Sequence, residues 1–544
     1  MHRRDPRAAP AAHSAECGRR AAGDLSLERI AQPEGDISTE VLIVGAGPTG
    51  LSLACQLARY GVDFVALEKR EGVTPFSKAL GVHARTLEIY EQLDLAKTAV
   101  AQGTLIETLR LYQGGVERGE LDLAGVGEGL SPYPFVLVLE QSRNEALLYE
   151  YLRAHGRDVY WNSEVQSIAQ SPDGVTARCI DPAGISRTVR AWYLVGCDGP
   201  RSVVRENLDI GFEGSTFERI FYVADVQIDW QLGHDALILC MTENSIVAFF
   251  PMRGARRFRI VGAFPEGLDR NEGEIVYPEI ERRIKQESEI ALEVSHVNWF
   301  STYKVHSRHA SRFSSGRCFL AGDAAHVHTP AGAQGMNTGI QDAYNLAWKL
   351  AYVLHRGAGP ELLETYNTER LENARNLLKT TDRMFSLAAG SDWLENVVRT
   401  TILPPLASVL LHVEPVRRRF FSLISQIGIE YRHSALSDSS GDHGFAVRAG
   451  DRMPYFRVGG ASVFDRLRAP KFHLIFFGDA AAGAPLHARF ADGVDLYALP
   501  LDDAAKSAFG TDRPFSVLLR PDNHIALLAR GQDSAAINRY LARS

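Results

Sequence analysis

The chain has 544 residues, room for about three domains. With 45% apolar and 23% charged residues it has the balance of an ordinary globular protein rather than a disordered chain. A formal net charge of −7 argues against a dedicated nucleic-acid binder, and no apolar run approaches the roughly 18 residues a membrane helix needs.

Residues 1–38 read as a disordered extension. They carry Arg3, Arg4, Arg7, Arg19 and Arg20 but no apolar core of a secretory signal, and Glu16, Asp24, Glu28, Glu34 and Asp36 disfavour a transit peptide. Order begins at Thr39. Val41-Leu42-Ile43-Val44 is continuously apolar, as a strand buried on both faces should be. It ends in Gly45-Ala46-Gly47-Pro48-Thr49-Gly50. A helical pattern follows, with Leu51, Ala54, Leu57 and Ala58 on one face and Gly61 as its C-cap. A second strand, Val62 to Leu67, ends at Glu68 and completes a βαβ unit. In that unit Gly45 permits a tight turn, Gly47 lets the backbone approach a pyrophosphate, and Gly50 lets the helix pack on the sheet. The helix N-terminus offers N–H groups and a partial positive charge to phosphates. Glu68 can accept hydrogen bonds from a ribose diol. By itself this fingerprint does not choose between NAD and FAD.

A helix is expected near His83, with Leu87, Tyr90 and Leu93 on one side. Strands are expected at Trp192 to Val195, Ile246 to Phe250, Phe258 to Val261 and Cys318 to Leu320, and helices at Asn337 to Leu354 and Pro360 to about Ala388. Two of the strands end in aspartate motifs. One is Gly196-Cys197-Asp198-Gly199-Pro200-Arg201. The other, Gly322-Asp323-Ala324-Ala325-His326, leads through Thr329-Pro330-Ala331-Gly332-Ala333-Gln334-Gly335-Met336-Asn337 into the long helix. Asp323, at a strand terminus, can hold sugar-alcohol hydroxyls. Gly332 and Gly335 let backbone N–H groups approach a flat ring, which suits the flavin N1/C2 carbonyl edge. His326 and His328 lack the carboxylate or thiol cluster that would complete a metal site.

The polar stretch Ser434 to Gly444 reads as a linker. Beyond it lie about 100 residues with strands at Lys471 to Phe477, Phe515 to Leu519 and Ile525 to Leu528, and a terminal helix, which is the content of a separate domain. The six cysteines, Cys17, Cys55, Cys179, Cys197, Cys240 and Cys318, are too sparse for a disulfide framework, and no two have C-x-x-C spacing. Scattered thiols of this kind suit a reducing compartment, so the expected location is the cytoplasm.

The three motifs, in this order and spacing, resemble those of the class A flavoprotein monooxygenases. This is the para-hydroxybenzoate hydroxylase and phenol hydroxylase family, which includes the aromatic polyketide hydroxylases. The resemblance covers about residues 39–400. It implies an α/β and α+β fold, with a Rossmann-like FAD-binding domain interleaved with a β-sheet substrate domain across 39–433 and the substrate sheet at about 208–310. A linker at 434–445 and a thioredoxin-like domain over 446–544 would follow. Arg520-Pro521-Asp522-Asn523-His524-Ile525-Ala526 resembles the strand-turn of that domain, which here has no cysteine and so implies a structural or dimer-forming role. The protein would be a monomer or a homodimer.

By the same resemblance Gly45, Gly47, Pro48, Thr49, Gly50 and Glu68 hold the ADP half of FAD. Arg85 lies near the pyrophosphate, Gln141 on the ribityl side and Val165 at the adenine. Asp198 belongs to a motif linked to both FAD and NAD(P)H. Asp323 binds the ribityl chain, Pro330 lies beside the reactive flavin edge, and Gly332, Gly335, Met336 and Asn337 line the isoalloxazine. The implied reaction uses NAD(P)H and O2: a flavin C4a-hydroperoxide hydroxylates an aromatic substrate, and no dedicated protein nucleophile is needed. Candidate substrate contacts are Tyr222, Trp230, Phe249, Phe250, Pro251 and Met252. Leu80 stands where phenol hydroxylase carries an aspartate, which points away from a simple phenol and toward a larger, apolar aromatic such as a polyketide. A Baeyer–Villiger or antibiotic-modifying oxygenation is the alternative on the same scaffold. A flavin-free escort protein of the GDP-dissociation-inhibitor type shares only the first glycine motif.

Overall fold

The computed structural model describes residues 35–77, 79–241, 246–264, 275–389, 413–479 and 494–542, so the extension expected over 1–38 lies almost wholly outside the described residues. The strand Ile37–Val44 runs parallel to Phe64–Leu67 on one side and to Ser186–Gly196 on the other, and Ser186–Gly196 runs parallel to Cys318–Leu320. Val41, Leu42 and Ile43 are fully buried, which is why the run is apolar without alternation. The register pairs Val44 with Gly196 and Gly196 with Leu320. Motifs separated widely in the chain therefore end side by side, at the carboxyl edge where open α/β sheets bind ligands. The helices Pro48–Tyr60 and Gly335–His355 pack closely behind them: a Cβ on Gly339 would sit 2.3 Å from Thr49 Oγ1.

A second sheet of eight strands has the order His326–Val327, Leu292–Ala310, Phe212–Trp230, Arg257–Ala263, Ile246–Pro251, Ala236–Met241, Thr108–Gln113, Val116–Asp122. The hairpin Thr108–Gln113/Val116–Asp122 extends it beyond the expected span of about 208–310. A signal for that hairpin was present: Gly114 and Gly115 both take positive φ, 59° and 67°, as a two-residue hairpin turn demands. One face of this sheet packs on the helix Tyr277–Ser288 through Ile280 and Ile284. The other faces the first sheet across a cavity.

The C-terminal strands form a four-stranded sheet in the order Val494–Leu499, Phe472–Phe477, Phe515–Leu519, Ile525–Arg530; the first pair is parallel and the others antiparallel. Phe472, Leu474 and Phe476 pack against Trp348 and Tyr352 of the helix Gly335–His355, while Ile475 and Phe477 face the unit's own core. The polar stretch 434–444 is tied down. Ser434 Oγ donates to Glu369 Oε1 at 2.6 Å, and Asp438 N donates to Ala526 O at 2.9 Å. The five cysteines among the described residues are buried and unpaired. Among the described residues no helix is long and apolar enough to cross a membrane.

His473, on the central C-terminal strand, is fully buried. Its Nδ1 lies 3.5 Å from Asp495 Oδ2, and a backbone contact at Ala469 also favours the charged ring, but neither offsets the loss of water. Burial pushes its pKa down from 6.5 to about 4; Asp495 works against the shift, and Arg59 and Lys471 add to it. The unfolded chain therefore takes up this proton below about pH 6.5 while the folded chain stays neutral to about pH 4. Stability present above 6.5 is lost as pH falls through that window, by about 3 kcal/mol from this group. We expect His473→Leu to match the wild type in urea unfolding near pH 7.5 and to lose about 3 kcal/mol less on acidification to about pH 4. An unchanged acid loss would contradict the assignment.

Candidate active site

The site begins where the three parallel strands end. Gly45 has φ +98°, and a Cβ there would lie 2.4 Å from Cys197 O on the neighbouring strand. A Cβ on Gly50 would lie 1.9 Å from Gly45 O, so this glycine seats the helix on the turn. At Gly47 a Cβ would meet nothing within 4 Å; this residue fronts open space at the N-cap of Pro48–Tyr60, which has no side-chain cap. Such a bare helix N-terminus suits a pyrophosphate. Glu68 Oε2 accepts from Ala46 N at 2.8 Å and Oε1 from Arg70 N at 3.0 Å. Burial alone would raise the Glu68 pKa, but hydrogen bonds and charge from Arg70 hold the carboxyl below its ordinary value.

A cavity of about 1250 Å³ runs from this point between the two sheets. Of the residues predicted to hold FAD, it is lined by Gly45, Gly47, Pro48, Thr49, Glu68, Gln141, Val165, Asp198, Asp323, Pro330, Gly332, Gly335 and Met336. Gln141 is fixed by Ala79 N, which donates to its Oε1 at 3.1 Å. Asp198 Oδ1 accepts from Ser202 Oγ at 2.6 Å, and burial raises its pKa. Asn337 buttresses the loop from behind instead of lining the cavity. Its Oδ1 accepts from His83 N and Thr86 Oγ1, and its Nδ2 donates to Gly81 O and Ala333 O. Ala333 holds φ +53° in that loop, a left-handed conformation costly for a residue with a Cβ.

Arg85 is a correction. It does not line the cavity. Its buried guanidinium donates to Glu88 Oε2 at 3.1 Å and to Asp522 O at 2.8 Å, in the C-terminal unit. Among the described residues the cations lining the cavity are Lys69, Arg70, Arg201 and Arg259. The substrate candidates need a larger correction. A strand alternates its side chains between faces. On Ile246–Pro251, Ile246, Ala248 and Phe250 line the cavity, while Phe249 packs with Tyr222 and Trp230 on the opposite face, against Ile280 and Ile284. Pro251 has the parity of Phe249 and does not line the cavity. Met252 does not line the cavity itself but packs in the cluster of Leu80, Ile106 and Leu123, which do. Phe250 alone of the six candidates lines the cavity.

Sequence reasoning missed Trp299, Ser301 and Tyr303, which line the cavity from alternate positions of one strand. It also missed the buried Arg259–Asp225 pair, bidentate at 2.7 and 2.8 Å with Arg259 beneath the Trp299 ring, and the helix Glu414–Ile424, which contributes Phe420 and Phe421.

The loop beyond Asp323 fits a flavin ring. His328 Nδ1 lies 2.7 Å from Thr329 O and so carries the proton, which leaves Nε2 as an acceptor. Burial lowers the His328 pKa to about 4 and keeps the ring neutral. His328 Nε2 and Gln334 Nε2 are buried with no partner, and both residues line the cavity beside Gly332 and Gly335. One acceptor and one donor left unsatisfied at a glycine-lined edge match a planar ring bearing N–H and C=O groups. Among the described residues no group of His, Cys, Asp and Glu could hold a metal ion.

The family model for the FAD binding domain matches residues 38–381. The chain is 34% identical over 530 residues to the 6-methylpretetramide 4-monooxygenase of Streptomyces rimosus, which covers 92% of each chain. The fold matches the OxyS anhydrotetracycline hydroxylase from Streptomyces rimosus with a TM-score of 0.73 at 30% identity, over 93% of this chain and 99% of that one. It matches aklavinone-11 hydroxylase, solved in a ternary complex with FAD and aklavinone, with a TM-score of 0.76 at 25% identity, over 94% of this chain and 99% of that one.

Proposed function

The chain belongs to the FAD binding domain family and is an FAD-dependent monooxygenase of the aromatic hydroxylase type, and from that premise we propose that it hydroxylates a large, mostly apolar aromatic of the polyketide kind with NAD(P)H and O2. Bound FAD supplies the redox chemistry, passing electrons from NAD(P)H to oxygen. The protein's own work is to bind, orient and exclude water. Gly45 to Thr49 and Glu68 would hold the ADP half, Asp323 the ribityl chain, and Gly332 to Met336 the ring.

The observation that carries the substrate class is the wall opposite that loop. Ile106, Leu109, Leu121, Leu237, Leu239 and Phe250 line it, with Trp299 and Tyr303 beside them. Leu80 is buried there where a carboxylate would serve a simple phenol. The nearby Asp225 carboxylate is engaged by Arg259. The cavity exceeds the range of about 300–1,000 Å³ usual for a single small ligand, as a site holding FAD and a substrate together must. Relatives named for 6-methylpretetramide and anhydrotetracycline support the reading. We read the C-terminal unit, with its one parallel and two antiparallel pairings, as a thioredoxin-like domain without thiols, and the enzyme as cytoplasmic.

The test is NADPH oxidation in air by the FAD-loaded protein, with anhydrotetracycline, aklavinone and phenol compared and products weighed. Faster oxidation with a polycyclic compound, and a product one oxygen heavier, is expected. Absence of flavin absorbance would overturn the family chemistry, and phenol working as well as the large aromatics would overturn the substrate class.

A further inference from the structure

We propose that the Arg520-Pro521-Asp522 turn of the C-terminal unit is a positioning element for FAD, which holds the Gly322-Asp323 turn in place through a buried chain of charged groups. The proposal rests on the FAD-binding reading of the site.

The chain starts at Asp342, fully buried on the helix Gly335–His355. Its Oδ2 accepts from Gly322 N at 3.0 Å and pairs with His326 Nε2 at 2.8 Å. One carboxylate oxygen therefore brackets the turn that carries Asp323. Its Oδ1 accepts from Arg370 Nε at 2.6 Å. Arg370, also fully buried, donates from Nη2 to Thr338 O at 3.2 Å and from Nη1 to the Tyr431 hydroxyl at 2.8 Å.

Tyr431 connects this to the C-terminal unit. The Arg520 guanidinium lies over its ring, 5.2 Å from the centroid, and the His524 ring packs on it at 4.4 Å. Arg520 grips Glu369, the neighbour of Arg370 on the helix Glu361–Ala389, through two bonds of 2.6 and 3.0 Å. Lys349 Nζ adds a bond to Glu369 at 2.8 Å. Asp522 accepts from Arg520 and from Trp348 Nε1. Arg520 and Asp522 thus fix Glu369, which fixes the helix turn bearing Arg370.

All these charges are buried, and the acidic and basic groups of the network pair with one another. Removing one partner leaves an opposite charge without water or counter-ion, and the network forms as a unit. Tightness at Arg520 is then felt at Gly322. Coupling of this kind is reciprocal: whatever the C-terminal turn adds to FAD affinity, bound FAD adds to the docking of that turn. It also gives this unit, whose fold is otherwise without thiol chemistry, a task in the reaction.

The experiment uses the full chain, stripped of and reloaded with FAD. Tyr431→Phe removes one oxygen and leaves the ring stack, Arg520→Met removes the guanidinium, and Arg520→Lys keeps the charge. Kd for FAD is read from flavin fluorescence, and Tm is measured with and without FAD. Tyr431→Phe is expected to raise Kd about tenfold, the loss of one hydrogen bond to a buried charge. Arg520→Met should raise it at least as much, and Arg520→Lys should recover part of the loss. The rise in Tm on adding FAD should shrink in step. A Kd within twofold of wild type, with Tm lowered equally with and without FAD, would mean a purely structural network and would overturn the proposal. If Arg520→Met does not fold, Tyr431→Phe decides alone. A wild-type chain that binds no FAD overturns the proposed function, whereas normal wild-type binding with unaffected variants overturns this proposal only.

Discussion

Gly45→Ala is expected to yield a protein that purifies without flavin. Gly45 closes the first strand at φ +98°, and the space beyond its Cα is occupied by Cys197 O at 2.4 Å, Cys197 C at 2.7 Å and Asp198 Cα at 2.9 Å. These are backbone atoms of the adjacent strand, so no side chain can swing aside. Alanine must either rotate the turn out of its conformation or force apart two strands that pair from Ile37 to Val44. Either movement also displaces Asp198, the aspartate of the second motif. Strain and overpacking together cost about 4 kcal/mol, roughly a thousandfold in Kd for FAD. Gly47→Ala is the control. A Cβ there meets no protein atom within 4 Å, so the unliganded protein should keep its Tm and lose affinity only where the pyrophosphate must approach. The ratio of flavin to protein after purification in excess FAD, with Tm of the stripped proteins, checks both. A yellow Gly45→Ala with wild-type Kd would show that the turn is not the phosphate site.

The parts legible in the sequence are those whose signal is local. A βαβ glycine turn, an aspartate at a strand end and a proline-glycine loop before a long helix each carry their meaning within about a dozen residues, and the register then brings them together. Side-chain direction was less legible. Phe249 to Met252 is an apolar run on a strand covered on both faces, so it contains no polar residue to mark the cavity side. The alternation Trp299-x-Ser301-x-Tyr303 did carry such a mark. Arg85 lies 437 residues from Asp522, its carbonyl partner, and nothing near either residue announces the other. Asp342, Glu369 and Arg370 read along the chain as ordinary polar positions of long helices. They become a network only because the C-terminal sheet covers them. The stretch 434–444 has turn composition whether it packs or floats; Asp438 N bonded to Ala526 O is a fact of the tertiary fold.

Phe249→Ala and Phe250→Ala, neighbours in the chain, are expected to fail in different ways. Phe249 is fully buried, 5.1 Å from the Trp230 ring centroid and within the cluster of Tyr222, Ile280 and Ile284. Truncation leaves a cavity between sheet and helix that costs about 3–5 kcal/mol of stability. It should leave KM for the aromatic close to wild type wherever the protein is folded. Phe250 is half-buried and lines the large cavity. Its truncation removes little core packing, about 1 kcal/mol, since the lost contacts lie on an open wall. There it should raise KM for the aromatic about tenfold, because the ring forms part of the apolar surface that orients substrate. It should also increase NADPH oxidised per product formed, because water enters where the ring stood. Urea unfolding reads the first effect, and product yield per NADPH the second. If Phe249→Ala raised KM while Phe250→Ala lowered stability, the sheet would present its other face to the cavity. Tyr222 and Trp230 would then return as substrate contacts, and Trp299 and Tyr303 would be core.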